Sequence, residues 1–168
     1  MVNVVLVGAG GYGDFYLRTL RAEAADHQVR FVGVVDPTIN DSPLATALQT
    51  ARIPLYQELA TALQRETVHL AVIAAPIHWH APYTQTALAH GVNVLCEKPL
   101  CATVQEAAQL LAAQQQAGRF VAVGYQWSFS AAIGALKADI LAGRLGAPWR
   151  LKASVLWPRT ATYYARNN

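Results

Sequence analysis

The chain has 168 residues, 54% of them hydrophobic and 14% charged, with a formal net charge of +3. That length allows one domain with a real core and a piece of a second, and the balance suits a buried parallel sheet while excluding a disordered chain. No apolar run is long enough to cross a membrane, no secretory leader pattern opens the chain, and two cysteines, Cys96 and Cys101, fit neither a disulfide framework nor a zinc pattern; together these predict a cytoplasmic protein with no membrane partner.

The first predicted element is the apolar strand Val2 to Val7, which runs directly into Gly8, Gly10 and Gly13. A helix from about Gly11 to Ala25 follows, with Tyr16, Leu17, Leu20 and Ala24 at helical spacing, then a second strand, Phe31 to Val35, ending on Asp36. Three glycines between a strand and a helix, with an acid at the end of the next strand, form the dinucleotide-binding pattern. Gly8 suits a tight turn, Gly10 lets backbone approach a pyrophosphate, and Gly13 lets the helix pack on the strand. The helix N-terminus directs N–H groups at the phosphates, and Asp36 accepts from the adenosine ribose hydroxyls. Asp14, in the first helical turn, is expected to point away from the phosphates.

After Asp36 comes Pro37 and a polar loop through Asn40, Asp41 and Ser42 with no cationic residue. A 2′-phosphate needs such a cation, so NAD is favoured over NADP. Ser42 is a predicted N-cap for a helix from Pro43 to about Ala51. Ile53 to Tyr56 is extended, Glu58 to Arg65 helical, and His69 to Ala75 a third buried strand. The loop Pro76 to His80 stands at that strand's carboxyl end, where ligands of open α/β sheets lie. Its His78-Trp79-His80 pair lacks a nearby carboxylate or thiolate, so no metal is expected; a helix from His80 to His90, stopped by Gly91, is the better reading.

The strand Val92 to Cys96 ends in Glu97-Lys98-Pro99. A lysine closing an apolar strand faces the same crevice as the glycine turn, with Glu97 either holding its charge or positioning the loop; the alternative is a structural ion pair. Thr103 and Glu106 form a capping box for a helix to Ala117, and Phe120 to Val123 is a further strand. Tyr125 and Trp127 at its end belong either to core or to a substrate cleft. A helix spans about Ala131 to Ala142, and Trp149 to Trp157 alternates as a half-buried strand. No acidic residue follows Asp139, whereas Arg144, Arg150, Lys152, Arg159 and Arg166 do. This basic surplus comes without a basic helix or stacking array, so no nucleic-acid partner is expected. The last strand has no following partner, which predicts an N-terminal piece of a longer protein.

Several segments carry a pattern together: GAGGYG at Gly8 to Gly13, Ala74 to His80, AHGVNVLCEKPL at Ala89 to Leu100, VGYQWSF at Val123 to Phe129 and GRLG at Gly143 to Gly146. By these the chain resembles the Gfo/Idh/MocA family of NAD(P)-dependent oxidoreductases acting on sugars, cyclitols and related polyols. The resemblance implies a Rossmann-type doubly wound parallel α/β sheet over residues 1–124. It implies that residues 125–168 are the crossing helix and first strand of a truncated second α/β domain. It implies that Gly8, Ala9, Gly10, Gly11, Tyr12, Gly13, Asp36, Ala75, Pro76, His80, Glu97, Lys98 and Gln126 line the cofactor, with Lys98 catalytic beside the nicotinamide. A second-domain histidine of the family has no match here. The family often has Asn where Ile77 stands, Arg at Trp127 and Ser128, and His at Tyr16, the last read as a packing difference.

These readings converge on an enzyme moving a hydride between NAD and a secondary alcohol carbon of a polyol, homo-oligomeric when full length, with these 168 residues alone inactive. Lys98 acts either as acid–base group or as a charge stabilising an alkoxide. The competing readings are a dinucleotide-binding sensor without turnover and, further off, a methyltransferase using the glycine loop.

Overall fold

The computed structural model describes residues 1–39 and 43–165. The polar loop Asn40 to Ser42, with the expected Ser42 cap, and Arg166 lie outside the described residues. The chain divides into two compact units, Met1–Tyr125 and Gln126–Asn168.

The first unit is built on six strands: β1 (Val2–Val7), β2 (Val29–Val35), β3 (Leu55–Tyr56), β4 (Leu70–Ile73), β5 (Asn93–Cys96) and β6 (Val121–Val123). All pairings are parallel, in the order β3-β2-β1-β4-β5-β6. The crossovers are α1 (Tyr12–Ala22), α2 (Pro43–Thr50), α3 (Leu59–Arg65), α4 (His80–Ala89) and α5 (Val104–Ala117).

Successive side chains of β1 point to opposite faces, and both faces are apolar, as a doubly covered strand requires. Val4 and Leu6 pack with Leu17 of α1 and Leu48 of α2. Val5 and Val7 pack with Leu59 and Ala62 of α3 and Ala87 of α4. The sheet is thus doubly wound, and its order reverses between β1 and β4, which puts a crevice outside the carboxyl ends of those two strands.

The helices begin and end largely where local chemistry predicts. Thr103 and Glu106 close a reciprocal capping box on α5, and Gly118 ends it in the left-handed region at φ 60°. Asp14 turns outward to Arg18 at 2.7 Å, one helical turn on, away from the glycine loop.

The second unit holds a 3-10 turn at Gln126–Phe129, α6 (Ala131–Leu141) and α7 (Ala161–Ala165). Ser130 caps α6, its hydroxyl accepting from the Ile133 amide at 3.3 Å. The strand expected at Trp149 to Trp157 is not formed: residues 146–160 carry neither helix nor strand, and Trp149, Leu151 and Val155 are exposed. Alternation creates a two-faced segment, but a strand also needs a ladder of hydrogen bonds to a neighbour, and no strand among the described residues of this unit supplies one.

Candidate functional site

Four strand ends build the crevice. At the end of β1, Gly8 takes φ +85°, and a Cβ there would stand 2.8 Å from Ala75 Cα. Gly13 lies so close to the turn that a Cβ would collide with the Gly8 carbonyl oxygen, and its amide donates to the Gly10 carbonyl at 2.9 Å. Gly10 differs, having no atom within 4 Å of a would-be Cβ. No side chain caps α1 at Gly11. An uncapped helix start above an open glycine is a cradle for an anionic group, and Ala9, Gly11 and Tyr12 stand on the same turn.

At the end of β2, Asp36 is already engaged. Its Oδ2 accepts from the Ala9 amide at 2.9 Å, and its Oδ1 accepts from the Thr38 amide at 2.9 Å and the Thr38 hydroxyl at 2.8 Å. These bonds fix the carboxylate against the glycine turn. A carboxylate offers about four acceptor positions, so room remains for a ligand hydroxyl. Thr38 was not singled out from the sequence, although a Thr two positions after an Asp is a known turn signal.

At the ends of β4 and β5 stand Ala75, Pro76 and Glu97-Lys98-Pro99, the Lys98–Pro99 bond being cis. Glu97 is 7% exposed. Its Oε1 accepts from the Tyr16 hydroxyl at 2.7 Å, and its Oε2 from the Lys98 amide at 3.1 Å. Glu97 therefore positions the loop rather than holding the lysine's charge. The Lys98 side chain is exposed and enters no salt bridge among the described residues. Tyr16, read from the sequence as a packing position, packs against the core and also joins α1 to this turn. Burial, and then the hydrogen bond to Glu97, raise its phenol well above the ordinary 10.0. Cys96, directly before Glu97, is pushed up to about 12 by burial.

His80 is 2% exposed. Its Nδ1 lies 2.7 Å from the Pro99 carbonyl oxygen and its Nε2 2.8 Å from that of Ala75. Both nitrogens face backbone carbonyls from the two flanking loops. His78 and Pro76 are exposed on the same loop. Gln126, the remaining expected contact, opens the second unit and is exposed there.

Beside Asp36 lies a cavity of about 370 Å³ lined by Pro37, Gln57, Glu58, Trp79, Tyr83 and Thr86 among others. Trp79 and Tyr83 stack at 5.3 Å between ring centroids, one turn apart at the start of α4. Another cavity, about 350 Å³, lies at the amino edge of the sheet near Arg30 and Arg52, and none of Gly8 to Gly13, Asp36 or Lys98 lines it.

The model of an oxidoreductase family with an NAD-binding Rossmann fold matches residues 2–125. The chain is 31% identical over 148 residues to an inositol 2-dehydrogenase of Acidothermus cellulolyticus, covering 88% of this chain and 42% of that one. Among solved structures it is 31% identical to GenD2 of gentamicin A biosynthesis in complex with NAD, at a TM-score of 0.68, covering 84% of this chain and 38% of that one. The WlbA dehydrogenase of Bordetella pertussis, in complex with NADH and UDP-GlcNAcA, shares the fold at a TM-score of 0.83 and 22% identity, covering 98% of this chain and 48% of that one. The chain spans about half the length of the curated relatives it matches. No described helix is long and apolar enough to cross a membrane.

Proposed function

The chain belongs to the Gfo/Idh/MocA family of oxidoreductases, and from that premise we propose that it is the cofactor-binding part of an enzyme moving a hydride between NAD and a secondary alcohol carbon of a sugar, cyclitol or similar polyol. The observation that carries this reading is the Lys98 turn: a rigidly held, exposed lysine leaves the sheet at the same carboxyl edge as the glycine turn. Bound at that edge, NAD supplies the hydride chemistry.

The chain's own residues divide the work. Gly8 to Gly13 and the start of α1 hold the pyrophosphate, and Asp36 takes a ribose hydroxyl. The Trp79–Tyr83 cavity gives the adenine ring a flat apolar wall beside Asp36. A carboxylate at this place repels a 2′-phosphate, and no lysine or arginine stands between Asp36 and Arg52 to offset it; both favour NAD over NADP. The GenD2 likeness, with NAD bound, supports the same choice, and the inositol 2-dehydrogenase likeness supports a polyol substrate.

Lys98 then acts on the substrate hydroxyl. It takes the proton if the pocket favours a neutral amine, or stays charged and steadies the developing alkoxide. A facing domain beyond these residues supplies the rest of the substrate pocket, and association into homo-oligomers goes with it. The two free cysteines suit a reducing cytoplasm.

The test is Lys98→Met in the full-length protein, assayed with NAD over a polyol panel. Turnover is expected to fall by about 10²-fold or more, the usual range for a lost acid–base group, with NAD affinity little changed. Wild-type protein that binds NAD but turns over no polyol, or a variant as active as wild type, would refute the assignment; the former outcome favours a sensor.

A further inference from the structure

His80 is a buried side chain of the crevice that faces both of its working edges. It is the first residue of α4, and its ring lies between two backbone carbonyls from different loops. One is Ala75, whose backbone is packed against Gly8: the hypothetical Gly8 Cβ meets Ala75 Cα and N at 2.8 Å. The other is Pro99, the residue directly after Lys98. The ring therefore stands between the support of the glycine turn and the support of the lysine.

Both neighbours are acceptors only, so each protonated ring nitrogen holds one loop; a neutral ring holds one of them and a doubly protonated ring holds both. On its other side the lysine turn is gripped through its amide by Glu97, itself tied to α1 by Tyr16. Lys98 is thus flanked by a held amide and a held carbonyl, while its own side chain remains exposed. Such a frame serves geometry. Reacting atoms need alignment to within a fraction of an ångström, and about 1 Å of misplacement from a change remote from the chemistry costs on the order of 10²-fold in rate.

We infer that His80 is the positioning residue that sets the spacing between the glycine turn and Lys98. The inference rests on the hydride-transfer reading for its kinetic consequence, but its structural content is separable from that reading. His80→Gln carries both of its N–H donors on one nitrogen, which cannot span two carbonyls on opposite sides of a ring, and His80→Ala leaves no donor. In the full-length protein kcat is expected to fall in the order wild type, His80→Gln, His80→Ala, by roughly 10- to 100-fold for the glutamine variant, with KM for the polyol changing far less.

The chain has three lysines, Lys98, Lys137 and Lys152. Reductive methylation with ¹³C-formaldehyde gives each a separate NMR signal, the first assigned with Lys98→Met. His80→Gln is expected to move the Lys98 signal and leave the Lys137 and Lys152 signals in place, whether or not a substrate is known. Loss of wild-type turnover on every polyol would sink the hydride-transfer reading and leave this arm standing. A folded His80→Gln protein with wild-type kcat or an unmoved Lys98 signal overturns the inference. Should neither variant fold, the wild-type protein decides: a His80 ring N–H in slow exchange with water is expected, and a ring whose N–H protons exchange as freely as those of exposed His78 refutes it.

Discussion

Tyr16 and Glu97 are 81 positions apart in the chain and share a hydrogen bond of 2.7 Å. Replacing Tyr16 with Phe keeps the ring and removes only the donor to a carboxylate that is 7% exposed. Leaving such an acceptor without its partner costs about 1–3 kcal/mol, so urea unfolding of Tyr16→Phe at neutral pH is expected to show that loss. The phenol is raised above its ordinary 10.0 in the folded chain. Its contribution is therefore complete below pH 10.0 and fades as pH climbs through the folded value. The stability gap between wild type and variant should narrow in alkali, and a gap that widened would show that the hydroxyl is not the group responsible. Residues of this kind are hard to find in a sequence. Gly8 and Asp36 were legible because their reasons are local: a turn after a strand, an acid after the next. Tyr16, and the part His80 plays, were not, because the partners are a distant carboxylate and two backbone carbonyls, and a carbonyl leaves no mark on residue identity.

The glycine turn behaves as an element in which neighbouring glycines answer to different constraints. A Cβ on Gly13 would collide with the Gly8 carbonyl, whereas one on Gly10 meets nothing within 4 Å. Gly13→Ala is expected to cost about 3 kcal/mol, the upper end for overpacking, and to lose dinucleotide binding with it. Gly10→Ala should leave thermal unfolding nearly unchanged, within about 0.5 kcal/mol for an uncrowded surface change. On the proposed binding mode it should nonetheless weaken NAD binding, read by calorimetry, because the added methyl group would fill the open cradle proposed for the pyrophosphate. Equal effects on both readouts from both variants would contradict the separation. The same scale explains why the strand expected at Trp149 to Trp157 is not formed. Strand β1 was readable from its composition alone, being apolar on both faces. Trp149 to Trp157 has alternation as good as many strands, but pairing is a property of two segments, and no described strand of its unit lies beside it.

At the scale of the molecule, Met1–Tyr125 contains the whole parallel sheet, both apolar layers and every proposed site residue except Gln126. A chain cut after Tyr125 is expected to unfold in a single cooperative transition and to bind NAD as tightly as the 168-residue chain. Weaker binding by more than about tenfold, or ~1.4 kcal/mol, would show that the second unit contributes to the cofactor site. The strand order has a further consequence, for the chain as it leaves the ribosome. Strand β1 is synthesised first yet ends in the middle of the sheet, where Val4 pairs with Leu70 on one side and Phe31 on the other. At about 5–20 residues per second, its β4 edge waits several seconds for its neighbour to emerge. During that interval the nascent chain displays an unpaired apolar ribbon, Val2 to Val7, that another nascent copy could pair with. Conditions that slow translation before Leu70 should therefore lower the yield of folded protein more than the same slowing applied after Val123, and a holdase chaperone supplied during synthesis should recover the difference.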